Sequence, residues 1–263
     1  MFKNFLKNFD NPQEELINQK ESINPIKSEH LREGIKPIMA CVGTPDDFPE
    51  PIKKVMSKEN KLVNVNFYEN FIGLSLKRFK NAGEYSYVIS NINNKNKFSE
   101  CFLNCTGLIV AGFSKKTNEN ISFVSHQNPG FFLESENNKK KFSKDLRQRL
   151  LKLKDKSLDK TIDAVIVGGN YFSQQGKVNE FGEDYFASIK LLSEEVLKIL
   201  GFEPVVIIGP KIIDRNHGDE DIFYDNKNRQ LYIVRLSVDN KTAKSFIPSD
   251  LEEQSKNWDK DKF

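Results

Sequence analysis

Histidine and cysteine are both scarce, at three each in 263 residues. Cys41, Cys101 and Cys105 make an odd set without CxxC spacing, which argues against a disulfide framework or a zinc knuckle and fits a reducing compartment. No run approaches the roughly 18 apolar residues of a membrane span, so stable membrane insertion is not expected. The first residues carry Lys3, Lys7 and Asp10 and lack the apolar core of a secretory signal. A cytoplasmic protein is expected, or one delivered by a non-classical route. A surplus of one charge is missing too: 40 Lys and Arg face 37 Asp and Glu. That near-balance gives phosphate backbones nothing to select, and nucleic acid is not an expected partner. Neither G-x-G-x-x-G nor a phosphate loop occurs, and no Cys/His ligand set stands out. Neither a metal nor an organic cofactor is expected.

What the chain does have is 21 phenylalanines within a composition that is 38% hydrophobic and 29% charged, enough for a sizeable core. Three parts are expected: an arm or linker over residues 1–34, a domain over 35–240 and a polar tail over 241–263. In the arm, Phe2, Phe5, Leu6 and Phe9 share one helix face, which is expected to dock on the chain's own domain. Strand patterns fall at 35–42, 62–68, 72–76, 85–89, 161–167 and 202–208, and a hairpin at 222–236. A helix-like stretch precedes 61, and amphipathic helices are read at 139–156 and 183–200. Gly201 stands where a C′ glycine belongs. The fold class implied is α/β (α+β), a layered domain with a mixed β-sheet core.

The chemistry-bearing stretch is 98–129. Leu108–Ala111 and Ile121–Val124 flank the polar turn 114–120 and read as a hairpin. Cys105 precedes the first strand and His126 follows the second, so a thiol and an imidazole meet at one edge, as a nucleophile and its base must. The alternative is a buried structural cysteine and an unrelated surface histidine. Cys101 is the rival nucleophile and ranks second, because no strand start lies at its side. Gly168-Gly169-Asn170 ends the buried strand 161–167, and a glycine pair there lets the backbone approach a ligand or another loop closely. Asp214, His217 and Asp219 form a weaker cluster that suits a metal-assisted hydrolase, although a charged turn explains it as well.

The order of parts over residues 98–237 resembles the CheD-type chemoreceptor glutamine deamidases and, more distantly, the catalytic domains of cytotoxic necrotizing factor toxins. That order is Cys, hairpin, His, helix, buried strand into Gly-Gly, helix, strand and hairpin. The chain shows Leu103-Asn104-Cys105, Ser125-His126-Gln127 and Ile166-Val167-Gly168-Gly169 at the corresponding places. It departs from the family where Asn104 replaces a serine and where the Cys–His interval is longer. The resemblance implies a cysteine-dependent protein-glutamine deamidase, with transglutamination through the same thioester as a variant outcome. Its partner would be a protein bearing an accessible glutamine. Cys105 would be the nucleophile, His126 the acid/base, and Ser99 the hydroxyl-bearing third residue. Backbone N–H groups near Asn104, Cys105 and Thr106 would hold the oxyanion. Gly168, Gly169, Asn170 and Gln127 would line the substrate. The competing class is a protein-interaction module that retains the fold without the activity.

Overall fold

A computed structural model of the chain describes residues 22–23, 29–43, 87–102, 105–169, 171–172, 179–209, 211–212, 220–235 and 244–246. The strands expected at 62–68 and 72–76, the helix-like stretch before 61, the apolar face at 2–9, Asn104, Asn170 and the Asp214, His217, Asp219 cluster lie outside the described residues.

Two mixed sheets and two long helices form three layers. The first sheet has the order β1 (Ser22–Ile23), β2 (Met39–Gly43), β12 (Gln230–Arg235), β11 (Glu220–Asp225), β4 (Lys97–Phe102). Within it β2 and β12 run parallel, and the remaining pairs are antiparallel. The second has the order β13 (Lys244–Phe246), β9 (Val205–Ile208), β7 (Asp163–Gly168), β5 (Thr106–Phe113), β6 (Asn120–Gln127), β3 (Tyr87–Ile89). Here only β7 and β9 are parallel. A two-stranded parallel pair joins β8 (Tyr171–Phe172) to β10 (Lys211–Ile212).

Alternation along the second sheet sorts its side chains into two cores. Cys105, Ile109, Ala111, Val124, Val165, Val167 and Ile207 face the first sheet and pack with Ala40, Phe102, Ile222, Leu231 and Ile233. Leu108, Val110, Phe123, Ala164, Ile166 and Val206 face the helices. Burial on both sides is why β7, DAVIVG, reads as an apolar run with Val165, Ile166 and Val167 β-branched in sequence.

The helices are a short turn α1 (Pro129–Phe132), then α2 (Glu136–Lys156) and α3 (Asn179–Leu200). Ser135 caps α2 by accepting from the Asn138 N–H, so the helix starts ahead of its expected first residue. Phe142, Leu146, Leu150 and Leu153 form its buried stripe. Gly201 closes α3 at φ +88°, its N–H donating to the Leu197 carbonyl at 3.0 Å, as the C′ glycine was expected to.

Three expectations need correction. Residues 97–102 are a strand, although they read only as the lead into the hairpin. Lys244–Phe246 pair with β9, so the expected tail contributes a strand. The arm is tied in by Ser22–Ile23, which pair with β2, and by His30, whose ring stacks on Phe202 at 3.8 Å with Nε2 3.2 Å from Asp163 Oδ1.

Candidate active site

The hairpin positions its residues by register. Gly107 faces His126 and Thr106 faces Gln127 across β5 and β6. Cys105 directly precedes β5, and alternation places it on the face of Gly107, diagonal to His126. Side chains at such diagonal positions have Cβ atoms roughly 7–8 Å apart or somewhat less. Both face the first sheet and both are buried, at 6% and 1% exposure.

The third residue arrives from the opposite sheet. Ser99 on β4 places its Oγ 2.8 Å from His126 Nδ1, itself at 1% exposure. A hydroxyl at Nδ1 fixes the ring's orientation, and because it can donate or accept it is compatible with either neutral tautomer. The Phe102 ring stacks on the imidazole, with centroids 3.9 Å apart and 11° between planes.

Simple alternation would send Ser99 and Phe102 to opposite faces of β4. A register shift prevents this: Glu220 faces Phe102 while Ile222 faces Ser99, so three steps on β4 oppose two on β11. Such a bulge re-aims side chains, and here it turns both residues toward His126. Gly107 completes the arrangement. A Cβ there would lie 2.9 Å from Phe102 Cε1, so the absent side chain is the space the phenyl ring uses. Glu220, fully buried, sits on that same face beside Phe102.

Burial pushes the His126 pKa down to about 3. The imidazole is therefore neutral near neutral pH. At rest the imidazole beside Cys105 is thus a neutral base.

The glycine pair approaches neighbouring protein groups closely. A Cβ on Gly169 would lie 2.0 Å from the Phe102 carbonyl oxygen, and one on Gly168 1.9 Å from the Tyr185 hydroxyl. The Gly169 N–H donates to the Cys105 carbonyl at 2.9 Å, and the Tyr185 hydroxyl donates to the Gly169 carbonyl at 3.0 Å. The groups in contact with the pair are the end of β4 and a side chain of α3. Thr106 and Gln127 point to the helix face, across the sheet from His126, where Gln127 Nε2 donates to Thr106 Oγ1 at 3.0 Å. The Gln127 side chain is thus placed away from the thiol's face.

Sequence reading brought together Cys105, His126 and Ser99 but passed over Phe102, Gly107 and Tyr185. The one available signal was Gly107 itself, a glycine inside an apolar strand pattern, which marks a close approach. Among the described residues no group of three or more His, Cys, Asp and Glu side chains is placed to hold a metal ion. Among them, too, no helix is long and apolar enough to cross a membrane. No protein-family model matches the chain, and no curated protein matches it.

Proposed function

We propose that the chain is a cysteine-dependent protein-glutamine deamidase, with Cys105 as nucleophile, His126 as acid/base and Ser99 as the residue that orients the imidazole. The observation that carries the reading is the 2.8 Å contact between Ser99 Oγ and His126 Nδ1, made across two sheets at the edge where Cys105 lies. It is supported by the resemblance in the order of parts to the CheD-type and cytotoxic necrotizing factor-like deamidases, which also assigns the layered fold to that superfamily.

In the tautomer whose Nδ1–H donates to Ser99 Oγ, Nε2 is the basic nitrogen. It takes the thiol proton as sulfur bonds to the side-chain amide carbon of a glutamine. The imidazolium then passes that proton to the amide nitrogen, the C–N bond breaks and ammonia leaves a thioester. Water adds to the thioester, His126 takes its proton, and the C–S bond breaks to give glutamate and the restored thiol. An amine in place of water gives transglutamination. A neutral resting imidazole suits this general-base route, because it is already in its proton-accepting form.

One observation favours a second reading. Ser99, His126 and Cys105 are all nearly buried, which suits a deamidase-like fold retained as a protein-interaction module. One experiment separates the two. Candidate protein partners are incubated with the wild type and with Cys105→Ala, and glutamine-containing peptides are examined by mass spectrometry. The deamidase reading expects the gain of about one dalton that amide-to-acid conversion brings, in the wild type alone. Binding of a partner without any mass change, equal in both proteins, supports the interaction module.

A further inference from the structure

We infer that Thr106, Gln127 and Ser188 form a clamp on the helix side of the sheet that positions Cys105 against His126. This rests on the reading of Cys105 and His126 as a reacting pair. Thr106 and Gln127 are the chain neighbours of the thiol and the imidazole, and they face each other in the ladder. Gln127 Nε2 donates to Thr106 Oγ1 at 3.0 Å, so the bond spans the two strand ends that carry the pair. Thr106 Oγ1 lies 2.6 Å from Ser188 Oγ on α3. One turn earlier on α3, the Tyr185 hydroxyl donates to the Gly169 carbonyl, and the Gly169 N–H donates to the Cys105 carbonyl.

The path is closed. From α3 it runs through Gly169 to the Cys105 backbone, through the peptide bond to Thr106, and through Ser188 back to α3. All of Thr106, Gln127, Ser188 and Tyr185 are fully buried. Deeper in the same layer the positions on β5 and β7 are apolar, Leu108, Val110, Ala164 and Ile166. A simple core would continue that pattern to the edge. Polar groups instead occupy the row directly behind the thiol and imidazole, where buried hydrogen bonds fix direction as apolar contacts cannot. Thr106 and Ser188 are positioning residues, acting through the strand ends.

A thermodynamic cycle on thiol reactivity tests this without any protein substrate. Chloroacetamide, a small amide electrophile, is reacted near neutral pH, and alkylation of Cys105, Cys101 and Cys41 is followed separately by mass spectrometry. His126→Ala is expected to slow Cys105 alone. Thr106→Val, which keeps the shape and removes the hydroxyl, is expected to slow Cys105 roughly tenfold to a hundredfold, the scale of a misplaced reacting group. Thr106→Ser restores the hydroxyl and recovers most of that loss. The variant carrying both Thr106→Val and His126→Ala labels as His126→Ala alone does, because groups acting as one unit are not additive. Ser188→Ala serves the same cycle should Thr106→Val fail to fold. Additive losses, or a Thr106→Ser as slow as Thr106→Val, overturn the clamp, as does a Cys105 indifferent to His126. Full coupling in a protein that leaves every glutamine unchanged sinks the deamidase reading and leaves the clamp standing.

Discussion

At the scale of single residues, the imidazole is the group whose surroundings decide its role. His126 is held by Ser99 at one nitrogen and covered by Phe102 on one face, in a setting that keeps it uncharged. Removing the Ser99 hydroxyl leaves the ring stacked but no longer fixed in rotation about its own bond. Ser99→Ala is therefore expected to lower kcat by roughly tenfold to a hundredfold with KM little changed, the pattern of an interaction made mainly in the transition state. Ser99→Thr should retain most turnover. Steady-state ammonia release on whichever protein substrate is found measures both. A fall in KM affinity with kcat intact would instead make Ser99 a substrate contact.

Among the elements, the hairpin was legible because its two halves carry period-2 patterns around a polar turn, and the long helices because α2 and α3 keep single apolar stripes. What stayed hidden depends on pairing between distant segments. Residues 97–102 read KFSECF, in which alternation is interrupted at the place where the bulge falls, so neither the strand nor its face was visible. Ser99 was nevertheless placed, through the resemblance rather than through its own pattern. The division of the strands between two sheets, and the turn of Gln127 toward the helices, follow from register, which no local window contains. Gly169 shows what that pairing requires. Its position against the Phe102 carbonyl has no room for a methyl group. Gly169→Ala must push β4 away from the β7 end, moving Phe102 and with it the imidazole. A destabilisation of about 1–3 kcal/mol is expected in denaturant titration, the range of overpacked cores, together with loss of Cys105 reactivity toward chloroacetamide. A neutral Gly169→Ala with unchanged reactivity would show that β4 can shift freely and that the site does not depend on it.

For the whole molecule, what joins the two sheets includes buried polar groups that fold in costly states. Arg229, at 3% exposure and φ 54°, donates to the carbonyls of Lys36, Ala111 and Thr161, linking the approach to β2, the second sheet and the β7 approach. Lys97 lies on the inner face of β4, at 1% exposure. Its amine donates to Asn93 Oδ1 at 2.6 Å and to the Lys95 carbonyl. Burial, reinforced by the Lys95 charge, lowers its pKa from 10.5 to about 7. Lys97 and His126 both bind protons more weakly in the folded chain than in the unfolded one. Stability must then rise with pH across the interval between each folded and unfolded value. For His126 that interval runs from about 3 up to its ordinary 6.5, and for Lys97 from about 7 up to 10.5. Each group has a limiting slope of about 1.4 kcal/mol per pH unit. The contribution of His126 is complete above 6.5 and is lost as acid is added, while the cost of burying charged Lys97 is present in full below 7 and relieved above it. Denaturant titrations from pH 4 to 9 should show the wild type gaining stability over both windows. Lys97→Met is expected to remove the alkaline rise and His126→Leu the acid one, each leaving the other intact. If the difference between wild type and Lys97→Met is flat from pH 7 to 9, the amine keeps its proton in the fold, and its two carbonyl partners hold an ammonium between the sheets.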